Sequence, residues 1–494
     1  VTQRSRACAA VGAPALVVAA LLALPAQARP TDVGSDLFTF DAGDDVDTFD
    51  TEHFRFHYTL SGTHTVPTGD GDANGVPDHV ESLALIYEDA LATYVALGFR
   101  APLDDDGRPN NGGDGRFDVY LVDFSFNADG AYNSEVCDDN RCSGYMVQEN
   151  DFRGYSYPSA RVGNLTVASH ELFHAVQAAY DASQPSVFAE GTAVWASEAF
   201  DANLSDLEGF SSGYLDDAES PLDTAGGGPV DLFTYGASVF FQFLSERHDS
   251  DLIVALLEAT EDGARGVADP DWFHDALPAV LADVADTFAD VFFDFTVACV
   301  VTDDKFVDDT AVPHFENGDA LARRTPEDAA LPLSADPFLV FTSSSRLVEF
   351  AARGRSTVDA ALADADPTQL AGLRVALVAH NVVTDDVRVA TGVDRASIAA
   401  TDDDDLYLLV TNTNPDGDGA RPRLCAGDAA EVDACVAAAS EGEGEGEGDD
   451  DDDDDDDSGG CACAGVDAAA VSGVALLALG RRRRQRRAPC SRPS

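Results

Sequence analysis

The run from Leu165 to Tyr180 contains neither Pro nor Gly. Val167, Leu172, Phe173, Val176 and Ala179 recur along it at helical spacing, which predicts one amphipathic, largely buried helix. That helix carries His170-Glu171-Leu172-Phe173-His174. Residues four apart share a helix face, so both imidazoles point the same way and Glu171 turns aside from them. Two core histidines matching by chance is the alternative to a metal pair. The spacing is that of a zinc hydrolase, in which two His hold Zn²⁺ and the Glu takes a proton from water on the metal. With ten His in 494 residues, composition alone gives such a match only ~0.01 times.

A catalytic zinc needs a third protein ligand and an open position. Metzincins place Gly and His three and six residues after the second His; Gln177 and Tyr180 stand there instead. After Gln184-Pro185, residues Ser186 to Glu198 predict a second helix with Glu190 near its start. Glu190-Gly-Thr-Ala resembles the Glu-Gly-x-Ala third-ligand motif of the gluzincins, which implies Glu190 as the ligand. Glu198, eight residues on and on roughly the same face, is the alternative ligand or the group that orients an imidazole. Asp231, in Asp231-Leu-Phe-Thr-Tyr235-Gly236, is a further alternative, similar to the aspzincin ligand but with the spacing off by one. Tyr235 is either a core residue or a donor to the oxyanion of a tetrahedral intermediate.

A second cation motif lies upstream. Asp70-Gly-Asp72-Ala-Asn74-Gly75-Val76-Pro77-Asp78-His79-Val80-Glu81 fits a twelve-residue calcium loop, with Gly at its sixth position for the sharp turn. The side chains of Asp70, Asp72, Asn74 and Glu81 and the Val76 carbonyl supply oxygens, with Asp78 direct or through water. Pro77 replaces the usual apolar residue of a paired hand, so a solitary loop is expected, followed by a helix from Val80 to Leu97.

The pattern elsewhere is that of an α+β chain. His53 to Tyr58 alternates as a strand, with His53 and His57 on its surface. Residues 104–115 form a turn-rich loop, and Phe117 to Asp123 a central strand. Residues 144–149 are the expected edge strand for a substrate backbone. Residues 201–230 read as an acidic, Gly-rich loop, Phe233 to Arg247 as a helix, and 250–300 as two or three more, closing a catalytic domain over 51–303. From 330 to 437, Phe338-Leu-Val-Phe, Leu347-Val-Glu-Phe-Ala, Leu373 to Ala379, Val387 to Ala390 and Leu406 to Thr411 are short strands at regular spacing. They suggest a small β-sandwich accessory domain, with His380 structural.

Residues 1–28 read as a secretory signal, with Arg4 and Arg6, an apolar centre from Val17 to Leu24, and the cleavage pattern Ala26-Gln27-Ala28. An extended acidic lead-in over 29–50 follows. The formal net charge is −60; thirteen acidic residues lie between 441 and 457, and about −47 remains elsewhere. That surface argues against nucleic acid as a partner. The Glu-Gly repeats and nine Asp within 438–460 form an extended, disordered spacer. Cys461-Ala-Cys463, a weakly apolar span over 464–480 and the arginines of 481–487 follow in order. That order resembles the MYXO-CTERM sorting tail of myxobacterial surface proteins. It implies processing near Cys461 by a sorting protease, membrane contact beforehand, and display outside the outer membrane of a Gram-negative cell. Export also suits two local disulfides, Cys137–Cys142 and Cys425–Cys435, with Cys299 free.

Glu52-His-Phe-Arg-Phe-His-Tyr, the Asp70–Glu81 loop, Arg116-Phe-Asp-Val-Tyr-Leu, the helix Val167 to Gln177 and Glu190-Gly-Thr-Ala-Val-Trp together resemble a family of secreted zinc metalloproteases from myxobacteria and related bacteria. The resemblance spans roughly 50–300. It implies a zincin-like domain, one catalytic zinc on His170, His174 and Glu190, and protein or peptide substrates. Val194 departs from the pattern, standing where thermolysin-type enzymes carry an Asp that orients a zinc histidine. The expectation is a calcium-stabilised, surface-displayed zinc endopeptidase with Glu171 as base. Its rivals are a non-catalytic calcium-binding adhesion protein with a vestigial motif, and a zinc hydrolase of non-peptide amides.

Overall fold

Strand alternation between Val46 and Glu149 builds one mixed sheet. The computed structural model describes residues 29–32, 38–108, 110–125, 128–224, 231–302, 312–335, 337–364 and 366–441. The leader, most of the spacer and the sorting tail lie outside them. Among the described residues no helix is long and apolar enough to cross a membrane.

The sheet contains β1 (Val46–Asp50), β2 (Phe54–Thr59), β3 (Phe117–Val122), β4 (Gly130–Asp138) and β5 (Arg141–Glu149), in the order β1-β2-β3-β5-β4. β2, β3 and β5 run parallel; β1 and β4 are antiparallel edges. β3 is central, as expected. The edge beside the helices is β4, not 144–149. β5 is an inner strand because the β4–β5 hairpin, closed by Cys137–Cys142, folds β4 outward past it.

Successive side chains take opposite faces. Phe54, Phe56, Val119, Leu121 and Met146 join the main core with the helices. Tyr120, Val122, Tyr145 and Val147 face the other way, under Phe40 and Phe38. The lead-in from Phe38 on is therefore not a loose extended segment: it covers the far face and ends in β1. This corrects the reading of His57, which is buried and bonded to Asp118 at 2.6 Å, whereas His53 is exposed and pairs with Glu88.

Among the described residues, nine α-helices accompany this sheet. α1 (Asp78–Ala96) and α2 (Ala160–Ala178) lie on its inner face, followed by α3 (Ser186–Phe200), α4 (Asp206–Leu215), α5 (Leu232–Gly236) and α6 (Ser238–His248). Then come α7 (Asp251–Ala259), α8 (Leu277–Asp283) and α9 (Phe288–Ala298). Ser159 starts α2 by accepting the Val162 N–H at 3.2 Å. Every residue of α2 from Thr166 to Ala178 is buried, so the helix is not amphipathic in place. Ser169, Glu171, His174 and Gln177 each bond a protein group. Two further expectations change: the acidic loop 201–230 holds α4, and the helix over 233–247 divides at Ala237.

The remaining strands are β6 (Glu327–Asp328), β7 (Leu333–Ser334), β8 (Ser344–Ala351), β9 (Thr357–Ala363), β10 (Leu373–Asn381), β11 (Val387–Gly392), β12 (Arg395–Ala399), β13 (Asp404–Asn412) and β14 (Arg423–Gly427). They form two sheets, β11-β10-β13-β8-β6 and β12-β9-β14-β7, that share a second apolar core. Residues 338–341 contribute only a bridge at Val340 to Ala420. β9, β12 and β14 were not anticipated. Ala-rich β9 has little intrinsic strand preference and owes its form to its two neighbours. α10 (Ala429–Glu441) was also unforeseen. It is tied to β14 by Cys425–Cys435 and runs into the start of the expected spacer. Cys299 is free and buried. α9 packs on the β13 sheet through Phe293, Val297, Val378 and Leu409, and Thr296 bonds Thr411 at 2.8 Å.

Candidate functional site

Two helices converge at the site. His170 and His174 project from α2, and Glu190 from the first turns of α3. His170 Nε2 lies 3.2 Å from Glu190 Oε2, His174 Nε2 lies 3.4 Å from the same oxygen, and the two Nε2 atoms are 3.2 Å apart. All three side chains are buried, and they form one of three groups among the described residues that could hold a metal ion. A tetrahedral zinc with bonds of about 2.0–2.1 Å sets its ligand atoms about 3.3–3.4 Å apart. The trio therefore already has the spacing of three corners of that tetrahedron, and its N₂O donor set suits zinc.

Gln177 fixes one corner. Its Nε2 donates to the Ala189 carbonyl and to Thr192 Oγ1, both at 2.7 Å. That leaves its Oε1 for His174 Nδ1, at 2.8 Å. Neutral His174 thus carries its proton on Nδ1 and turns the Nε2 lone pair to the trio. The group expected to orient an imidazole was Glu198; its charged neighbours are Glu208, Asp206 and Asp201 instead. Asp231 caps α5 by accepting the Phe233 N–H and is not part of the trio. Gln177 sits three residues after His174, a spacing that puts the two on one helix face; that was the sequence signal available for it. His170 Nδ1 has no hydrogen-bond partner among the described residues. Its ring is held by stacking on Tyr235, centroids 5.8 Å apart and planes within 16°.

Electrostatics couple the group. Burial alone would raise the Glu190 carboxyl, but the His174 and His170 imidazoles overrule it and hold it far below the usual range. Burial disfavours charge on His174, yet Glu190 and Glu171 carry its pKa up to about 9. Burial lowers that of His170. Without a metal, a proton on His174 balances Glu190.

Glu171 lies beside the trio. Its Oε2 accepts the Tyr132 N–H of β4 at 3.0 Å, and its buried Oε1 has no partner among the described residues. Burial pushes this carboxyl up to about 8, against His174 and with help from Glu190 and Asp129. β4 comes this close because Gly130 has no Cβ; one there would meet Val167 at 2.4 Å and Glu171 at 3.0 Å. Tyr235 is buried with its hydroxyl near Glu190 but without a well-formed hydrogen bond. Burial first, then the Glu190 and Glu171 charges, raise its pKa.

The Asp70–Glu81 loop forms the second group. The carboxylates of Asp70, Asp72 and Asp78 converge within 4.8 Å. Asp70 Oδ2 accepts the Gly75 N–H at 2.9 Å, Asp78 accepts that of Gly71, and Asn74 Oδ1 accepts that of Val76. Asn74 Nδ2 holds Glu81 Oε1 at 2.8 Å, so Glu81 stays next to the cluster without joining it. Asp41, Asp44 and His64 make the third group. His64 Nδ1 accepts the Asp123 N–H at 3.0 Å, leaving the ring proton on Nε2. With its proton there, Nε2 has no lone pair to offer a cation beside those carboxylates.

Comparison with known proteins gives no match to a protein-family model and none to a curated protein.

Proposed function

We propose that this chain is a zinc-dependent endopeptidase, of gluzincin type in its ligand set, exported and displayed at the cell surface. The observation that carries this reading is the buried trio of His170, His174 and Glu190, spaced at 3.2–3.4 Å beside Glu171. When bound there, zinc would supply Lewis-acid polarisation and lower the pKa of water toward about 7.

The chain's own groups account for the rest. Glu171, with one oxygen held by Tyr132 and the other free, takes a proton from the attacking water and passes it to the leaving amine. Burial out of water keeps this carboxylate from being a weak, fully solvated base, as both transfers require. The Tyr235 hydroxyl donates to the developing oxyanion. Among the described strands β4 has β5 on one side only, so its other edge can pair with an extended peptide backbone. That geometry favours peptides over small amides. The Asp70–Asp72–Asp78 cluster takes Ca²⁺, with Glu81 and Asn74 completing the oxygens. Calcium there anchors the start of α1. The two-sheet region over 330–437 serves as an accessory β-sandwich module.

The test is metal content with casein cleavage. Wild type should hold one zinc and lose cleavage to a chelator. Glu171→Gln should keep zinc and lose about 10²–10⁴-fold in kcat/KM. Cleavage retained in zinc-loaded Glu171→Gln would sink the role of Glu171. Absence of zinc from wild type would sink the whole reading, leaving an exported calcium-binding protein.

A further inference from the structure

The far face of the first sheet holds a buried ionic cluster that the hydrolytic reading leaves unused. Arg29 is 1 % exposed, although it follows directly on the expected leader. Its Nε and Nη2 form a two-pronged contact with Glu135, at 2.8 and 2.5 Å. Nη2 also reaches Asp105 at 2.5 Å, and Nη1 bonds Asp118 and, at 3.3 Å, Tyr120. Asp118 in turn bonds His57, whose ring stacks on Tyr120. One guanidinium thus ties the loop before β3, β3 itself and β4 together.

Glu135 reaches this cluster through a defect in the ladder. Ser134 pairs with Gly144 and Val136 with Ser143, so Glu135 is an extra residue in β4 with no counterpart on β5. A bulge re-aims the side chain it carries. The same strand, three residues earlier, places the Tyr132 N–H on Glu171. Among the described strands β4 pairs with β5 alone, so beyond that hairpin and its Cys137–Cys142 link the other side of β4 has no strand to seat it.

We propose that Arg29 is a positioning residue. By clasping Glu135 it seats β4 against α2, and so sets the N–H that holds Glu171 and the edge offered to substrate. Seating of the strand thereby depends on docking of the segment that begins the described chain. This rests on the reading of Glu171 as base, but the seating itself is measurable without catalysis.

Arg29→Met would leave three carboxylates facing one another and is expected to unfold the chain. Glu135→Ala is the informative variant, because Asp118 and Asp105 still balance Arg29. Asp105→Asn is its control, removing an Arg29 contact that is not on β4. In hydrogen exchange of the full chain, Glu135→Ala should speed exchange across 130–134 about tenfold, with α2 unchanged. Asp105→Asn should leave that segment as in wild type. With zinc bound, Glu135→Ala should lower kcat more than it raises KM. Unchanged exchange of 130–134 in Glu135→Ala, or equal loosening in Asp105→Asn, would overturn the clasp. A wild type that fails to cleave casein would sink the proposed function, while the exchange result would still decide the clasp.

Discussion

The α2–α3 trio and the Asp70–Glu81 loop are both cation-ready, but they are made ready by different means. The trio is buried, mixes nitrogen and oxygen donors, and is held from outside itself by Gln177 and Tyr235. The loop is exposed, uses oxygen alone, and is shaped by its own backbone N–H groups. Taking polar groups out of water is unfavourable unless each is satisfied. The buried site must therefore fix its donors before any ion arrives, and it does so with residues from three elements. The loop keeps its carboxylates in solvent and needs only a turn. The difference teaches that one site depends on tertiary packing and the other is nearly local.

That contrast can be broken by experiment. The largest effect should come from His174→Ala, which removes a corner of the trio. It is expected to abolish stoichiometric zinc and all cleavage, while calcium binding persists; joint loss of both metals would show that the sites are not independent. Gln177→Ala should come next, weakening zinc about 10–100-fold through the freed imidazole. Zinc titration against a competing chelator measures it, and an unchanged affinity would return His174 orientation to packing alone.

A pH series sharpens the comparison further. In the metal-free chain the folded pKa of His174 is raised to about 9, above its ordinary value. Its contribution to stability is then fully present below about 6.5 and is lost as pH rises through about 9. Glu171, raised to about 8, acts in the same direction. The melting temperature of the zinc-free chain should fall between pH 6.5 and 9, and zinc should remove most of the His174 part of that fall. Binding should release a proton over this range, readable by calorimetry in buffers of different ionisation heat. The loop runs the opposite way: Gly75 holds the Asp70 carboxyl below its usual range, so its effect fades only in acid. The smallest effect is expected there. Removing calcium alone should lower the melting temperature by a few degrees, about 1–3 kcal/mol of linkage. Asp72→Asn should reproduce that shift without touching zinc content.

Much of this was legible in advance because it is set by short-range geometry. The His170–His174 spacing, the convergence of Glu190 on that pair, the calcium-type loop, the central strand at 117–123 and both disulfides could be read from residue order. Less was visible where distant segments decide. Glu198 seemed to share a face with Glu190, but α4 draws it into an acidic neighbourhood with Asp206 and Glu208. There burial and like charge raise its pKa to about 8. β9, β12 and β14 lacked a clear strand pattern because pairing, not propensity, makes them strands. His57 read as surface because nothing in its own strand shows that Arg29, Phe38 and Phe40 cover its face of the sheet.

The sequence by itself determined that two imidazoles share one turn of helix, since 3.6 residues per turn leaves no other outcome. It determined that a Gly-punctuated acidic run would fold back on its own carboxylates. Only the tertiary structure decided that Gln177 sets the tautomer of His174, that β4 and not β5 carries the open edge, and that Arg29 is buried. Each of those depends on which of several compatible strand orders and helix crossings forms. That choice is made by burial summed over the whole core, which no local stretch encodes.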